Sequence, residues 1–263
     1  MSDTNSLAAL LEPLSRLVRD AGSVVMSVYA TDFNVRGKGD SSPVTEADEQ
    51  AEAVILAGLA ALTPDIPVIA EEAVAAGSVP EVGERFWLVD PLDGTKEFIS
   101  RNGEFTVNIA LVENGQPVLG VVLAPALGAR GRLFAGGREL GATVEDDDGR
   151  RAIRCRSVPV EGLTVVASRS HGDAAALDAL LAGRKVASTT SAGSSLKLCL
   201  VAAGEADLYP RLGRTMEWDI AAGHAVLAAA GGSVCRVDDG SPLRYGKAGF
   251  ENPHFLAAGL RRG

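Results

Sequence analysis

With 263 residues, of which 46% are hydrophobic and 22% charged, the chain can bury a sizeable core in one compact unit or two fused lobes. Its 25 Lys and Arg and 34 Asp and Glu leave a net charge of −9, which excludes broad attraction to nucleic acid or anionic lipid but not a small anionic substrate. Three cysteines without a CxxC pair argue against a disulfide framework or a zinc site and favour a reducing cytoplasm.

The N-terminal part of the chain predicts two helices joined by a polar loop. Apolar residues at helical spacing over 7–29 predict a helix rather than a signal peptide, and no window offers the roughly 20 apolar residues that a membrane span needs. The Gly- and Ser-bearing stretch 35–44 predicts a loop. A second amphipathic helix is predicted over 45–62, with Thr45 as N-cap and Asp48 completing a capping box.

Short apolar runs with acids at their ends follow this helix. Residues 66–72 predict a strand that ends in two glutamates, and 85–90 predict a second strand, which Pro91 prevents from continuing as a central strand. Residues 95–101 predict a short helix. Residues 105–125 then predict two strands around an Asn-Gly turn, the strongest short signal for a hairpin.

The charged segment from Glu145 to Arg151 predicts a solvated connector and a boundary between lobes. Strand and helix patterns alternate beyond it, which is typical of an α/β lobe, whereas the first part combines helices with an antiparallel hairpin. We therefore expect an α/β protein. An α+β lobe is predicted over 1–145 and an α/β lobe over 146–263.

The stretch WLVDPLDGTKEF, residues 87–98, combines two acids with a helix start. Asp90 ends the predicted strand, and the turn that follows lets Asp93 point the same way. Clustered oxygen ligands without His or Cys suit hard cations, above all Mg²⁺. Gly94 and Thr95 open a helix whose backbone N–H groups can bind a phosphate. The same letters are also ordinary turn chemistry, so this stretch alone leaves both interpretations open.

Three further acids are placed to join this pair. Glu71 ends the neighbouring strand, and Asp219 lies at the head of a helix of small apolar residues. Alone, Asp219 could merely favour the helix dipole and Asp48 could merely cap its helix. Several acids gathered at strand ends and helix starts would repel one another and raise their pKa values unless a cation binds among them.

Three stretches, VIAEE, WLVDPLDGTKEF and WDIAAGHAVLAAAGG, resemble the metal motifs of the inositol monophosphatase superfamily, in order and with fitting spacing. The resemblance implies a layered αβαβα sugar-phosphatase-like fold and a magnesium-dependent, lithium-sensitive phosphatase with two to three Mg²⁺ ions. DGTKEF, ASRSH, SAGSSLKLCLVAAGEADLYPR and TMEWD are closest to the CysQ-type 3′(2′),5′-bisphosphate nucleotidases. This subgroup implies hydrolysis of adenosine 3′,5′-bisphosphate (PAP) to AMP, with the sulfated analogue PAPS as a related substrate.

The resemblance also implies a role for each matching position. Five groups would hold the metal ions: Glu71, Asp90, the Leu92 carbonyl, Asp93 and Asp219. Thr95 with Asp48, or a carboxylate near Glu71, would orient and deprotonate the attacking water, and the Gly94 and Thr95 N–H groups would hold the scissile phosphate. The nucleoside and its other phosphate would be held by His171, Ser194, Lys197 and Arg211. The 35–44 loop is expected to close over the site.

Several of these roles have plain structural alternatives. Lys197 lies on an apolar helix, where a lysine is often a snorkelling surface residue. Arg211 could be a loop charge and His171 a residue at a strand end. The other phosphatases of the superfamily, acting on inositol monophosphate or fructose 1,6-bisphosphate alone or as a mixed activity, remain the nearest alternative function. A non-catalytic sensor would lack a metal ligand, and all the acids are present. A homodimer stays open.

Overall fold

The computed structural model describes residues 6–37, 43–167 and 174–260. The first half of the chain contains, in order, α1 (Leu7–Tyr29), β1 (Val35–Gly37), β2 (Pro43–Thr45), α2 (Glu46–Leu62), β3 (Val68–Ala70), α3 (Glu71–Ala75), β4 (Arg85–Asp93), α4 (Thr95–Ile99), β5 (Thr106–Glu113) and β6 (Gln116–Ala124). The second half contains β7 (Arg132–Gly137), β8 (Gly141–Asp146), β9 (Gly149–Ile153), β10 (Leu163–Ala167), α5 (Ala174–Leu181), β11 (Val186–Ser191), α6 (Leu196–Ala202), β12 (Leu208–Arg211), α7 (Glu217–Ala229), β13 (Ser233–Arg236) and β14 (Phe255–Ala258).

Two large sheets organise these elements. The first has seven strands in the order β3-β4-β5-β6-β7-β8-β9, parallel between β3 and β4 and antiparallel elsewhere. The second has five strands in the order β11-β10-β12-β14-β13, with β10 parallel to both neighbours and β14 antiparallel to both of its own. The predicted mixed α/β class is confirmed.

The helices form layers on and between these sheets. Helices α1 and α2 bury their apolar faces against one side of the seven-stranded sheet. Helices α6 and α7 share a second core with the other side of that sheet and with the five-stranded sheet. The site described below forms where the starts of α6 and α7 meet the end of β4 in the first sheet. Among the described residues, no helix is both long and apolar enough to cross a membrane.

Small residues let α7 lie very close to the first sheet. A Cβ atom at Gly120 on β6 would lie 2.4 Å from the carbonyl oxygen of Ala222 and 2.9 Å from the Cβ of Ala225. Only a glycine fits under a helix at that distance. The small residues of α7 are therefore a packing requirement, and they allow the helix to approach the first sheet closely.

Most predicted elements lie where the sequence placed them. Helix α1 runs through Pro13 without a break, and Thr45 and Asp48 form the predicted capping box of α2. The β5–β6 hairpin turns at Asn114 and Gly115, with φ of 51° and 72°, the left-handed pair that a type I′ turn requires. Turn and capping chemistry act over a few residues, which explains why these features were predictable.

Three local predictions were wrong. Strand β4 does not stop at Asp90, because its register shifts across Pro91 in a bulge and pairing resumes at Asp93. Neither of the two glutamates belongs to the strand predicted over 66–72, since β3 ends at Ala70 and α3 begins at Glu71. The charged segment 145–151 is not a connector, because it lies in the β8–β9 hairpin and extends the first sheet.

The division into lobes at 145/146 stays a prediction. The described strands of the first sheet end at Ile153, and those of the second begin at Leu163. The predicted loop 35–44 lies partly in the β1–β2 pair, and its residues 38–42 are outside the described ranges.

A buried histidine gives α7 a pH-sensitive contribution to stability. His224 is 6% exposed, and its Nδ1 lies 2.8 Å from the hydroxyl of Tyr245. Burial lowers the pKa of His224 from 6.5 to about 3, so the folded protein keeps the ring neutral. In the unfolded chain the same imidazole takes up a proton below its ordinary pKa of 6.5. The contribution of the neutral, buried ring to folding stability is therefore complete above pH 6.5, and it is lost as the pH falls toward about 3, the pKa of His224 in the folded protein.

We expect His224→Asn to flatten the acid side of the stability profile. The wild-type free energy of unfolding should fall by about 1.4 kcal/mol per pH unit from this group alone as the pH drops below about 6.5. The variant should be less stable at neutral pH but should lose that slope. Urea unfolding at several pH values tests this, with the exposed His254→Asn as control. Equal slopes in His224→Asn and the wild type would contradict the assignment.

Candidate active site

The bulge in β4 places two acids at one end of the first sheet. Asp90 is 1% exposed, and its Oδ1 accepts a hydrogen bond of 3.0 Å from the amide of Leu92. Asp93 resumes the ladder opposite Thr106 on β5. Gly94 then adopts a left-handed φ of 92°, which costs glycine little, and α4 begins at the next residue. The predicted strand–turn–helix device is thus present, with the strand ending later than expected.

Asp48 at the start of α2 reaches the same place from another element. It is 1% exposed, and its Oδ2 accepts hydrogen bonds of 2.8 Å from both the amide and the hydroxyl of Thr45. Its Oδ1 faces the hydroxyl of Thr95 at 3.4 Å, and that hydroxyl also lies 3.3 Å from the carbonyl oxygen of Leu92. The structure therefore brings together the side chains of Thr95 and Asp48.

A buried carboxylate holds Glu71 at its position. Glu71 is the first residue of α3, a helix of five residues. Glu52 on α2 is 6% exposed, and its two carboxylate oxygens accept hydrogen bonds of 2.8 Å from the amides of Glu72 and Ala73. These are orphan amides of the helix start, so Glu52 caps α3 from a distant element. The start of α3, and Glu71 with it, is fixed relative to α2.

Asp219 joins the group from the first turn of α7. Its Oδ2 accepts a hydrogen bond of 2.8 Å from the amide of Met216. Burial raises the pKa of Asp219 well above its usual value, and the charges of Asp93 and Glu71 raise it further. Burial likewise raises the pKa of Asp93 to about 6, against the opposing charge of Lys197. Three acids from three elements therefore share one electrostatic environment.

The donor set fits hard cations. The acids supply only oxygen, and their mutual repulsion is the condition that a bound cation relieves. Beside Asp93, the Oγ atoms of Thr106 and Ser195 and the Oδ1 of Asn108 are buried without a hydrogen-bond partner among the described residues. Within those same ranges, no group of three or more His, Cys, Asp or Glu side chains is close enough as it stands to enclose an ion.

A loop before α6 closes the other side of the site. The amide of Ser195 donates a hydrogen bond of 2.5 Å to Oδ2 of Asp93, and the amide of Gly193 donates one of 2.9 Å to Oε2 of Glu104. Between them, Ser194 adopts a positive φ of 46°. The second half of the chain is thereby tied to the first at the candidate site itself.

Lys197 is a buried cation rather than the snorkelling surface lysine that its helix allowed. It is 4% exposed, and its Nζ donates hydrogen bonds of 2.7 Å to the Ser194 carbonyl and 3.2 Å to the Ala192 carbonyl. It also lies 5.3 Å from the ring centroid of Tyr209. Burial and the charge of Arg211 lower the pKa of Lys197 to about 8. Lys197 and Arg211 therefore both lie near the acids, Lys197 near Asp93 and Arg211 near Asp219.

Arg211 ends β12 with part of its guanidinium unsatisfied. Its Nη2 donates a hydrogen bond of 2.7 Å to the Arg214 carbonyl, whereas its Nε is buried without a partner among the described residues. His171, the fourth predicted substrate contact, lies outside the described residues. Of the predicted substrate side chains, the structure thus places Ser194, Lys197 and Arg211 around one wall of the site.

Sequence reasoning missed the residues that hold the site together. Glu52 and Glu104 accept backbone hydrogen bonds from segments that lie about 20 and 90 positions further along the chain. Asn108 lies opposite Asp90 in the β4–β5 register. The signal that could have found them is a polar residue on an otherwise apolar face, since an unpaired buried polar group is costly.

Comparisons with known proteins place this arrangement in context. Residues 6–260 match the inositol monophosphatase family. Proteins named 3′(2′),5′-bisphosphate nucleotidase CysQ from Escherichia coli and Salmonella typhimurium are 49% and 50% identical over 249 residues, 94% of this chain and 98% of theirs. The crystal structure of CysQ from Bacteroides thetaiotaomicron gives a TM-score of 0.78 at 36% identity, covering 95% of this chain and 98% of that one. An inositol monophosphatase from Anabaena gives 0.75 at 28%, covering 97% and 92%.

We expect Gly193→Ala to disrupt the junction at the site. A Cβ atom there would lie 2.3 Å from the backbone oxygen of Glu104, so the loop must move and the Ser195–Asp93 hydrogen bond must weaken. The stability loss should be about 1–3 kcal/mol, as for overpacked positions. Urea unfolding measures it. Gly83→Ala, whose Cβ would meet nothing within 4 Å, is the control. A variant as stable as this control would refute the close approach.

Proposed function

The chain belongs to the inositol monophosphatase family, and we propose that it is a 3′(2′),5′-bisphosphate nucleotidase that hydrolyses the 3′-phosphate of PAP to give AMP and phosphate. The family consists of metal-dependent phosphatases. The observation that carries the proposal is identity of 49–50% to nucleotidases of that name across 94% of this chain. The resemblance seen in the acidic motifs is thereby confirmed, and PAPS is kept as a related substrate.

The acids form the metal-binding half of the proposed site. The groups that would hold the ions are Glu71, Asp90, the Leu92 carbonyl, Asp93 and Asp219. We propose two to three Mg²⁺ ions, with Li⁺ inhibitory because it is also a hard cation that prefers oxygen ligands. Such ions, when bound, polarise the phosphoryl group and stabilise the attacking and leaving oxygens of an in-line displacement. The raised pKa values of Asp93 and Asp219 support the assignment, since both burial and neighbouring like charge disfavour their ionised forms and a bound cation would offset both effects.

The hydroxyl of Thr95 is positioned to handle the attacking water. It lies between the carboxylate of Asp48 and the carbonyl of Leu92, so it can pass its proton to Asp48 while taking one from water, which leaves a hydroxide to attack the phosphorus. Asp48 is itself held by both donors of Thr45 and cannot swing away. We keep Glu71 as the alternative proton acceptor. The backbone amides of Gly94 and Thr95 would hold the scissile phosphate at the start of α4.

Two cations form the substrate-binding half. The buried Lys197 and the half-buried Arg211 both lie near the acids, and the buried, orphaned Nε of Arg211 calls for an acceptor such as a phosphate oxygen. Ser194 has a left-handed backbone conformation and lies in the loop just before Lys197. His171 completes the proposed nucleoside contacts. A bisphosphate is favoured over a monophosphate because two negative groups match metal ions on one side and fixed cations on the other.

We also propose that the protein is located in the cytoplasm. All three cysteines are unpaired, and Cys155 and Cys199 are buried, which fits the reducing cytoplasm expected from the sequence. The partner is a small nucleotide, with no role for nucleic acid. A homodimer stays a prediction, which light scattering of the purified protein would decide.

We expect Asp93→Asn to abolish turnover while leaving the fold intact. The amide oxygen can still accept from Ser195, and removal of a buried repulsive charge should not destabilise the metal-free protein. Loss of a charged ligand should lower kcat at least about 100-fold, since even outer-shell changes cost that much. Phosphate release and thermal unfolding are measured together. Near-normal activity in a folded variant would refute the metal assignment.

Lys197→Met should separate the two phosphates of the substrate. Methionine fills the buried volume without the charge, so KM for PAP should rise by about 10-fold or more while KM for a nucleoside monophosphate changes little, as expected when uniform binding is lost. Steady-state kinetics on both substrates measure the split. A matched rise in both KM values would assign Lys197 a structural role only.

Substrate choice is tested by phosphate release from PAP, inositol 1-phosphate and fructose 1,6-bisphosphate with Mg²⁺, with and without Li⁺. We expect PAP to be preferred about a hundredfold or more, equivalent to about 2.7 kcal/mol of transition-state discrimination, and to be inhibited by Li⁺. Equal rates, or a preference for a sugar phosphate, would leave the metal site standing and favour the inositol monophosphatase or fructose-1,6-bisphosphatase alternative.

A further inference from the structure

The segment of residues 244–252 lies across the start of α7 and is tied to it by a buried carboxylate. The side chain of Glu217 is fully buried, and its two oxygens accept hydrogen bonds from the amides of Gly246 and Lys247 at 2.7 and 3.0 Å. The Nζ of Lys247 approaches the same carboxylate at 2.5 Å. The Lys247 side chain is 29% exposed, so only the Glu217 side of this ion pair is buried; loss of Lys247 would leave that buried charge without its cation, so the pair fixes a geometry.

Asn252 extends this contact to the backbone just before α7. Its Oδ1 accepts from Nζ of Lys247 at 3.2 Å, while its Nδ2 donates to the Met216 carbonyl at 2.7 Å. Its own amide donates to the Thr215 carbonyl at 2.9 Å, and the Asn252 side chain is 5% exposed. Its amide and its Nδ2 therefore both hold the backbone of 215–216, and its Oδ1 links that contact to Lys247.

The backbone of Thr215 and Met216 also holds the carboxylate of Asp219. The amide of Met216 donates to Oδ2 of Asp219, and the carbonyl of Met216 accepts from Asn252. The direction of the Asp219 carboxylate therefore depends on how firmly the backbone at Met216 is held. In this chain that backbone is anchored through Asn252.

We propose that Asn252, supported by the Glu217–Lys247 pair, is a positioning residue that orients Asp219 for metal binding. Hereafter these three residues are called the α7 clamp. The proposal rests on the proposed function, because Asp219 matters as a metal ligand there. It adds residues to which no metal or substrate contact is assigned above: Glu217 stands in the TMEWD stretch, and Lys247 and Asn252 lie beyond the acidic motifs. Outer-shell partners of this kind typically set metal affinity by about 10–100-fold.

The test measures Mg²⁺ binding as well as turnover. Asn252→Ala removes the donor to Met216, and Asn252→Asp keeps the volume and the acceptor for Lys247 while replacing that donor by an oxygen. Mg²⁺ binding to the substrate-free, full-length protein is followed by titration calorimetry, and phosphate release from PAP is followed against Mg²⁺ concentration. Thr63→Val is the matched control, since it removes a buried hydrogen bond from the Trp87 indole at 2.9 Å without touching the clamp.

Both Asn252 variants should bind Mg²⁺ about 10-fold or more weakly, and excess Mg²⁺ should restore most of kcat. Thr63→Val should lose stability but keep the wild-type Mg²⁺ constant. The proposal is overturned if Asn252→Asp folds and binds Mg²⁺ as tightly as the wild type, or if Thr63→Val weakens binding equally. A wild-type protein that binds Mg²⁺ yet releases no phosphate from PAP would refute the proposed function alone, since the binding comparison still decides the clamp.

Discussion

Partial burial of clustered carboxylates is the constraint on which this structure depends. Asp93 and Asp219 are half-buried, and burial, with the like charge of Glu71 added to it, raises the pKa of both. A fold that draws like charges partly out of water loses stability at that point, so the surrounding backbone has to hold them by other means. The same arrangement is what makes the site receptive to a hard cation.

The compensation takes the form of hydrogen bonds from rigid backbone to each acid. Asp90 and Asp48 bind amides within their own turn and cap, and Asp219 binds the amide of Met216. Asp93 is held from the other half of the chain, by the amide of Ser195. These four acids thus each accept a hydrogen bond from a backbone amide, which restricts the direction of each carboxylate.

Packing between the layers decides whether these turns meet at all. Helix α7 can bring Asp219 to the edge of the first sheet because Gly120 leaves room for the backbone of Ala222. Lys197 is buried beneath the loop that carries Ser194, and its charge lies close enough to Asp93 to oppose the rise in the pKa of that acid. In an acidic protein with net charge −9, this local concentration of cations makes an anionic substrate plausible where the overall field repels it.

The sequence by itself determined the features that depend on a few neighbouring residues. These are the capping box at Thr45, the turn at Asn114, the acidic motifs and the alternation that sets the α/β class, because hydrophobic period, caps and turns act locally. Only the tertiary structure decided the bulge that carries β4 past Pro91, the assignment of 145–151 to the first sheet, and the partners Glu52 and Asn252. Those outcomes depend on which distant backbone groups are left unsatisfied when layers pack, and a linear sequence does not state which groups those will be.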